Sequence, residues 1–312
     1  MSHPPSRLKA ILLAMLVTFL WSTSWVLIKW GQSQVGPLTF AGMRYMLAFL
    51  VLLPFLLRRA TRTELLSLSR SEWVKLILLG FLYYFITQGA QYFSLTLLPS
   101  VTVSLMLNLT SIFVVGLGIV WLNEKPGWIQ WVGLILNLLG IYIYFAPVAF
   151  ERSQLIGLVV IIVGLIANAI GSVMARDINR VGRLSPLVVT APSMGIGAAL
   201  MLFVGVLTEP APALQVSGWL MIIWMAVVNT AIAFTIWMYT MKSLTAMEST
   251  IINSTMLFQV AILAWVFLGE GLTSKQIIGI VVGGIGAVLV QVHLKANKKK
   301  SAGGIPAQTE VS

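Results

Sequence analysis

Val120-Trp-Leu-Asn-Glu124-Lys-Pro-Gly-Trp-Ile-Gln130-Trp-Val-Gly133 is the stretch of sequence that decides the fold, because a related stretch follows 146 positions later. The second copy reads Val266-Phe-Leu-Gly-Glu270-Gly-Leu-Thr-Ser-Lys-Gln276-Ile-Ile-Gly279. In each copy a glutamate follows one long apolar segment and a glycine lies in the next. The chain therefore contains two copies of one plan. The pairs that coincide without a gap are Val120/Val266, Leu122/Leu268, Glu124/Glu270, Gln130/Gln276, Gly133/Gly279 and Gly140/Gly286.

Ten apolar segments fill almost the whole chain, which is 58% hydrophobic and only 9% charged. Soluble domains carry roughly 25% charged residues, so this chain lacks the charges to cover a water-facing surface. Crossing a bilayer takes about 20 apolar residues in a helix, and lipid offers the backbone no hydrogen-bond partner. We therefore predict an all-α membrane protein with ten transmembrane helices. The predicted spans are 9–28, 37–57, 73–93, 100–122, 128–146, 155–175, 186–207, 217–241, 247–268 and 275–294, and only 58–72 is predicted to be a loop of any size between them.

The lysines and arginines orient these spans, because cytoplasmic loops of membrane proteins carry an excess of both. With the N-terminus inside, 16 of the 20 lie on the cytoplasmic side; only Lys29, Arg152 and Lys275 lie outside, and Arg44 lies within a span. An odd number of spans in each copy turns the second copy upside down. We expect two inverted five-helix repeats at 9–147 and 155–294, a basic, disordered tail at 295–312, and both termini in the cytoplasm. The expected location is the inner (plasma) membrane, with multiple passes.

Several classes of protein are excluded by what the sequence lacks. It has no cysteine, and its two histidines, His3 and His293, lie outside the apolar core of the spans. It has no GxxxxGK[ST] pattern, no metal-spaced His/Asp/Glu set and no Ser/His/Asp arrangement, so we expect neither an enzyme nor a cofactor or metal site. The basic residues lie at segment ends rather than in a patch, which argues against nucleic acid. The expected partners are the lipid bilayer and a small-molecule substrate, with monomer and homodimer both open.

The first span carries a polar face. Thr18, Ser22, Trp25 and Lys29 recur at helical spacing, so they lie on one side of the helix. One interpretation is the wall of a central pathway, in which Lys29 attracts an anionic group. The other is a packing face of small residues with a lysine that reaches the outer interface.

Two charged residues in the predicted spans need an explanation, because a charge in lipid is costly unless it is paired or hydrated. Arg44 lies well inside the second span. It either locks the repeat by pairing with helix-end carbonyls or a carboxylate, which is the commoner role, or it contacts a substrate. Glu248, near the start of the ninth span, shares a face with Thr255 and Gln259. It is the candidate for a proton-coupling group; the alternative is an interfacial acid paired with Lys242.

Uncharged polar and aromatic residues are predicted to line a central cavity. Amides and hydroxyls gather on helices one, three and four of each repeat, including Asn229 and Thr230 in the eighth span. Such groups bind zwitterionic or neutral metabolites well. Two triplets, Asn108-Leu-Thr110 and Asn253-Ser-Thr255, match a glycosylation acceptor but lie within spans, so we assign that motif no meaning here. The candidate cavity residues are Trp21, Ser22, Trp25, Lys29, Arg44, Tyr84, Gln88, Gln91, Asn108, Ser111, Asn168, Trp237 and Asn253.

Four stretches make the chain resemble the EamA family of the drug/metabolite transporter superfamily. They are Trp21-Ser-Thr-Ser-Trp-Val-Leu-Ile-Lys29, Pro37-Leu-Thr-Phe-Ala-Gly-Met-Arg44-Tyr-Met-Leu-Ala48, and the two Leu-x-Glu…Gln-x-x-Gly hairpins at Glu124 and Glu270. The resemblance covers residues 9–294 and implies ten helices, inverted repeats, a central substrate cavity and export of amino acids or related metabolites. The chain departs from the family in two places. Ser22 stands where the family commonly has glycine, and the fourth helix has Thr110 and Ser111 where a proline is common.

The duplicated plan and the resemblance favour one kind of function. Two membrane repeats with an odd number of spans are typical of a secondary transporter. We expect a carrier that moves a small organic metabolite outward by alternating access around the cavity. Two alternatives stay open: an exporter of many drugs or toxic compounds, and, from another class, a lipid flippase or structural membrane protein.

Overall fold

The computed structural model describes residues 6–122, 127–146, 151–180, 184–240, 252–253 and 255–292, and the described residues contain helices but no strand. The first half contains α1 (Arg7–Gly31), α2 (Pro37–Leu56), α3 (Arg59–Leu66), α4 (Arg70–Leu79), α5 (Thr87–Leu97), α6 (Ser100–Asn108), α7 (Thr110–Leu122) and α8 (Trp128–Phe145). The second half contains α9 (Arg152–Arg180), α10 (Pro186–Thr208), α11 (Val216–Ala226), α12 (Ala233–Thr240), α13 (Met256–Leu268) and α14 (Ser274–Val292). Two π-helical turns, the first π segment (Gly80–Ile86) and the second π segment (Val227–Ile232), join α4 to α5 and α11 to α12.

In the part of the chain that the structure describes, five helices are long and apolar enough to cross a membrane, and five shorter apolar helices lie at other predicted spans. Large apolar side chains such as Leu12, Val159 and Phe203 are exposed, as expected for helices that face lipid. The predicted all-helical class is therefore confirmed. The five long helices are Leu8–Gly31, Pro37–Leu56, Arg70–Leu97, Arg152–Ala175 and Pro186–Thr208.

The segment after α2, predicted as a loop over 58–72, contains a helix. Residues Arg59–Leu66 form α3, and a capping box then starts α4. In this box the Ser69 side chain accepts from the Glu72 N–H, and the Glu72 carboxylate accepts from the Ser69 N–H at 2.7 Å. The prediction was wrong here because α3 is too short and too polar to give the apolar signal used to find spans.

The core of the bundle is shared by both halves of the chain. Fully buried side chains from α2, α5, α10 and α11 meet there, among them Phe40, Tyr92, Met201 and Met225. Helices α2 and α10 approach closely where Gly205 faces Thr39. The approach requires glycine at position 205, because the Cβ atom of any larger residue would meet the Thr39 backbone. The polar residues described below therefore lie on elements that the core holds in place.

Helices α8 and α14 form an antiparallel pair through the duplicated glycines. A Cβ atom added at Gly140 would come within 2.6 Å of the Gly279 carbonyl oxygen, and one added at Gly286 within 2.6 Å of the Gly133 carbonyl oxygen. The numbers run in opposite directions along the contact, so the helices are antiparallel. Gly279 and Gly286 are the sequence equivalents of Gly133 and Gly140, so the two contacts exchange equivalent positions as a twofold axis does.

Equivalent helices in the two halves also share their irregularities. The first π segment ends at Ile86 and the second at Ile232, a separation of 146 residues. Between α6 and α7, the Leu109 N–H bonds to the Met106 carbonyl at 3.0 Å, which is the tighter bond of a 3₁₀ turn. Before α13, the Thr255 N–H bonds to the Ile252 carbonyl at 3.1 Å. These positions also differ by 146, the offset of the duplicated hairpins.

Candidate functional site

Arg44 on α2 joins three elements of the bundle. Its side chain is buried, with 7% of its surface exposed. Nη1 donates to the Tyr92 hydroxyl on α5 at 2.9 Å, and Nη2 donates to Oγ1 of Thr230 in the second π segment at 3.4 Å. Its guanidinium carbon also lies 5.3 Å from the centre of the Tyr45 ring, which is a cation–π distance.

Neutral groups stabilise the charge of Arg44. Within the described ranges, its hydrogen bonds go to hydroxyls and none goes to a carboxylate, and Nε has no partner. Tyr45 packs edge-on against Tyr84 with ring centres 5.9 Å apart, and Tyr84 against Tyr83 at 5.4 Å. Arg44 thus lies at one end of a row of three tyrosines in contact, Tyr45, Tyr84 and Tyr83. These contacts are those of a lock between helices, and Nε leaves one donor for an anionic group.

Asn229, which precedes Thr230, fastens the second π segment to α1. Its Nδ2 donates to the Leu20 carbonyl and to the Ser24 hydroxyl, both at 2.7 Å. In the opposite direction, Trp21 Nε1 donates to the Asn229 carbonyl at 3.0 Å. Asn229 is fully buried, and its Oδ1 has no partner. The amide therefore keeps one acceptor free beside the Arg44 lock.

A second polar contact fastens α1 to α13. The Ser22 hydroxyl lies 2.9 Å from Oε1 of Gln259, and Nε2 of Gln259 donates to Oγ1 of Thr18 at 3.2 Å. The same amide donates to Oγ1 of Thr255 at 3.1 Å, which places it at the 3₁₀ turn before α13. The polar face predicted on the first span is thus turned toward the second half of the chain.

A threonine hydroxyl accompanies each π segment. Thr230 Oγ1 donates to the Met225 carbonyl at 2.9 Å, and Thr87 Oγ1 donates to the Leu82 carbonyl at 2.8 Å. In both cases the acceptor lies five residues earlier. A π turn disturbs the regular ladder, so a side-chain donor helps to satisfy a displaced carbonyl. Since π turns are frequent at functional sites, the Thr230 turn is a reason to place the site here.

The end of the bundle predicted to face outward is closed by polar contacts. Lys29 Nζ donates to the Leu98 carbonyl, at the end of α5, at 2.8 Å. Glu270, which follows α13, accepts from the N–H groups of Ser100 and Val101 at 3.0 and 3.4 Å. We call these contacts the outer clasp: Lys29 with Leu98, and Glu270 with Ser100 and Val101. The clasp ties α1 and α13 to the turn between α5 and α6.

Two further glutamates bind the first turns of helices from the other half of the chain. Glu209, after α10, accepts from the N–H groups of Leu38 and Thr39 on α2 at 2.8 and 2.9 Å. Glu64 on α3 accepts from the N–H of Ser185, just before α10. A carboxylate at a helix N-terminus satisfies free N–H groups and meets the positive end of the helix dipole. Helices α2 and α10 therefore each receive a carboxylate from the segment that follows the other.

Comparison with known proteins decides the family. The sequence profile of the EamA-like transporter family matches the chain twice, over residues 8–146 and over residues 150–292. The chain belongs to the EamA-like transporter family. This EamA-like protein is a membrane transporter of small molecules, and the predicted family membership is confirmed.

Known relatives of this EamA-like transporter are distant. An uncharacterized transporter of Bacillus subtilis, YoaV, is 23% identical over 84% of this chain and 90% of its own length. A protein of Chlamydia trachomatis named as an S-adenosylmethionine/S-adenosylhomocysteine transporter is 26% identical over 84% of this chain and 82% of its own. One solved crystal structure superposes with a TM-score of 0.66 at 20% identity, covering 94% of this chain and 100% of that chain. This likeness supports the fold alone.

The EamA-like transporter brings some predicted cavity residues together and separates others. Trp21 and Trp237 lie with ring centres 5.3 Å apart, while Trp25 is buried in the apolar core. Asn108 bonds to the Ser104 carbonyl, and Asn168 accepts from Ser172 within α9. The side chain of Ser111, together with Glu248 and Glu124, lies outside the described residues. Half-buried positions are found for Gln88, Gln91 and Asn168, and an exposed one for Asn253.

Several residues of the site were not predicted from the sequence. The capping glutamates Glu64 and Glu209 lie in loops and short helices, where a carboxylate usually faces water. A signal was present, because Pro37-Leu38 and Pro186-Leu187 mark equivalent helix starts and the two glutamates are 145 residues apart. The π segments had no such signal. Within the described residues, no three His, Asp or Glu side chains come together to hold a metal ion.

Proposed function

We propose that this transporter is a secondary carrier that exports small organic metabolites, such as amino acids, across the plasma membrane by alternating access. In this proposal ten spans form two inverted five-helix repeats, 9–147 and 155–294, with both termini in the cytoplasm. One half opens toward the cytoplasm while the other closes, and the conformations then exchange. Family membership supports transport, and the antiparallel pairing of α8 with α14 supports the inverted relation.

The observation that carries the proposal is the matched interruption of equivalent helices. Both π segments and both 3₁₀ turns recur at the offset of the duplicated hairpins. In transporters built from inverted repeats, discontinuous helices at corresponding positions commonly form the substrate site. Asn108, Thr110, Asn253 and Thr255 of the triplets Asn108-Leu-Thr110 and Asn253-Ser-Thr255 lie at the 3₁₀ turns, which supports a role for them in transport rather than in glycosylation.

The proposed substrate carries both a carboxylate and neutral polar groups. Arg44 Nε and Asn229 Oδ1 are a buried donor and a buried acceptor without partners, and Thr230, the residue after Asn229, binds Arg44. A positive charge beside amides and hydroxyls suits an amino acid better than a lipophilic cation, which Arg44 would repel. Trp21 and Trp237 would contribute an aromatic wall. Lys29 belongs to the outer clasp and would meet the substrate only on its way out.

The name of one relative extends the set of substrates worth testing. The Chlamydia relative is named as a transporter of S-adenosylmethionine and S-adenosylhomocysteine. Both compounds contain an amino-acid end, so they satisfy the same donor and acceptor. We include them in the panel of proposed substrates.

Transport by purified protein in liposomes tests the proposal. The panel contains single amino acids, S-adenosylmethionine, S-adenosylhomocysteine, a lipophilic cation and a fluorescent phospholipid. Saturable flux of an amino acid or of S-adenosylmethionine, absent from protein-free liposomes, is the expected result. Flux of the cation alone would make the protein a drug exporter, and movement of the phospholipid alone would make it a flippase. Metabolites released by cells with and without the gene then give the direction of transport.

A further inference from the structure

Among the described residues, three glutamates bind helix N-termini, and Glu270 differs from the other two in the kind of helix that it holds. Glu64 and Glu209 hold α10 and α2, so this pair of helices is capped by carboxylates at both ends of the bundle. Glu270 holds α6. Unlike α2 and α10, α6 stops after a few turns at the 3₁₀ turn at Leu109. Release of Glu270 would therefore free a short segment rather than a whole span.

The surroundings of Glu270 give water access to its carboxylate. A cavity of about 620 Å³ touches Glu270 from the side of Lys29, and one of about 290 Å³ touches it from the side of Tyr144. Both cavities also touch Leu98 and Pro99, the residues that precede α6. The carboxylate is half-buried between them. Protons can thus reach it without passing through the core.

We propose that Glu270 is the proton-operated gating residue of the transport cycle, which holds the outer clasp closed when ionised and releases α6 when protonated. This inference rests on the proposed function, because a gate needs a transport cycle. It assigns the coupling role to Glu270 in place of Glu248. The step is a protonation only: one proton from water binds the carboxylate, and the charge-assisted bonds to the Ser100 and Val101 N–H groups are lost.

The charges around Glu270 determine the direction of the pH effect. The ionisable groups that face it are Lys29 on α1 and Tyr144 on α8, while Arg152 and Lys275 at nearby helix starts are exposed. The positive charge of Lys29 and the positive end of the α6 dipole attract the negatively charged carboxylate in the closed clasp. The closed clasp is therefore the high-pH state. As the pH falls and the carboxylate takes up a proton, the clasp opens.

The absence of cysteine from the sequence allows a direct test. Thr102 lies on α6 beneath the clasp, is 5% exposed, and pairs with the Tyr144 hydroxyl at 3.2 Å. The variant Thr102→Cys reports opening through its rate of labelling by a membrane-impermeant maleimide in reconstituted protein. Thr96 is exposed in the larger cavity, so Thr96→Cys corrects for the pH dependence of the reagent.

We expect the corrected labelling rate of Thr102→Cys to rise as the pH falls from about 8 to about 4. Adding Glu270→Gln, which keeps the shape but loses the charge, should raise the rate about fivefold at high pH, the effect of losing a charged cap, and remove the pH response. Glu209→Gln is the matched control, since Glu209 caps a helix at the same end but outside the clasp. It should leave the rate at position 102 unchanged.

A second variant distinguishes the loss of charge in Glu270→Gln from misfolding of that variant. Glu270→Asp keeps the charge, so it should keep the pH response. A rate at position 102 that ignores both pH and Glu270→Gln in folded protein would overturn the inference, as would an equal effect of Glu209→Gln. Labelling needs no substrate, so a pH-dependent clasp in a protein that transports nothing in the panel would refute the proposed function alone. If the protein transports a panel substrate but the labelling rate at position 102 does not respond to pH, the gating role of Glu270 is refuted and the proposed function is not.

Discussion

The two halves of the transporter share their scaffold but differ in their chemistry. The π segments, the 3₁₀ turns and the glycines of α8 and α14 recur in equivalent places, and Glu64 and Glu209 cap equivalent helices. The polar side chains do not recur. Arg44 follows Pro37 by seven residues, and the residue seven after Pro186 is Ser193, which bonds only to its own helix at the Val189 carbonyl. The symmetric part suits a reversal of conformation, whereas the asymmetric part suits recognition of one substrate.

The same contrast appears within the π segments. Tyr83 and Tyr84 occupy the first, and Asn229 and Thr230 stand at the equivalent positions of the second. The first half contributes a cation and phenol rings, and the second contributes an amide and a hydroxyl that bind the first half. A site made from unlike halves can bind a substrate with two different ends. Substitutions at equivalent positions should therefore have equal effects in the scaffold and unequal effects in the site.

The largest difference between equivalent positions is expected for Arg44→Ala. The substitution removes two charge-assisted hydrogen bonds, so we expect unfolding to become easier by about 2–4 kcal/mol and transport to be lost. Ser193→Ala, at the equivalent position, should cost about 1 kcal/mol or less. Thermal unfolding in detergent and flux in liposomes measure both effects. A stable Arg44→Ala protein with an altered substrate range would instead show that Arg44 acts by contacting substrate.

Equal and substantial effects are expected for Gly140→Ala and Gly286→Ala. Each added methyl meets the backbone of the facing helix, and such overpacking costs about 1–3 kcal/mol. Gly116→Ala is the control, because a Cβ atom there meets nothing within 4 Å. The free energy of unfolding in a graded denaturant measures the three variants. Clearly unequal losses in the free energy of unfolding for Gly140→Ala and Gly286→Ala would contradict the twofold relation between α8 and α14.

Similar, additive effects are expected for Glu64→Gln and Glu209→Gln. Each loses a charged helix cap, which is worth about 0.5–2 kcal/mol. The two caps hold different helices and share no partner, so the double variant should show the sum of the single effects. Denaturant unfolding of the unmodified protein, the two single variants and the double variant gives the four free energies of this double-mutant cycle. Strong coupling between the two positions would mean that α2 and α10 do not respond independently at their two ends.

The smallest difference is expected between the threonines of the π segments. Thr87→Val removes the hydroxyl that donates to the Leu82 carbonyl at 2.8 Å and more weakly to the Gly164 carbonyl at 3.4 Å, which should cost about 1 kcal/mol. Thr230→Val also removes an acceptor of Arg44, so it should cost about 1 kcal/mol more. The midpoints of thermal unfolding measure this order. An equal cost at both positions would show that the long Arg44 contact contributes little to stability.

The sequence predicted the features that depend on long apolar runs and on the duplication. All five long helices overlap predicted spans, and the glycines that recur in the repeat lie where α8 contacts α14, Gly140 against Gly279 and Gly286 against Gly133. Features that depend on one or two hydrogen bonds were missed. The helix α3 is polar and short, and each π segment is apolar like any buried helix, so neither changes the hydropathy that identified the spans.

Site residues were harder to predict than spans because spacing reports a helical face but not its neighbour. The spacing placed Thr18 and Ser22 on one face, and they do share Gln259. Nothing in the spacing distinguished Trp25, which enters the apolar core, from Trp21, which meets Trp237. Arg44 was identified by the cost of its charge, yet the partners Tyr92 and Thr230 lie 48 and 186 residues away along the chain.

The glycine contact between α8 and α14 has a consequence for how the molecule moves. If the two halves exchange conformations during a transport cycle, the Gly140–Gly279 contact takes the geometry of the Gly133–Gly286 contact. The Gly133–Gly286 contact in turn takes the geometry of the Gly140–Gly279 contact. A Cβ atom added at Gly140 or at Gly286 would lie 2.6 Å from the facing glycine carbonyl oxygen, so the contact between α8 and α14 has the same geometry before and after the exchange. The contact between α8 and α14 can therefore stay fixed while the other helices move relative to it. Pairs of spin labels flanking this contact should keep a constant separation through turnover, and pairs far from it should not.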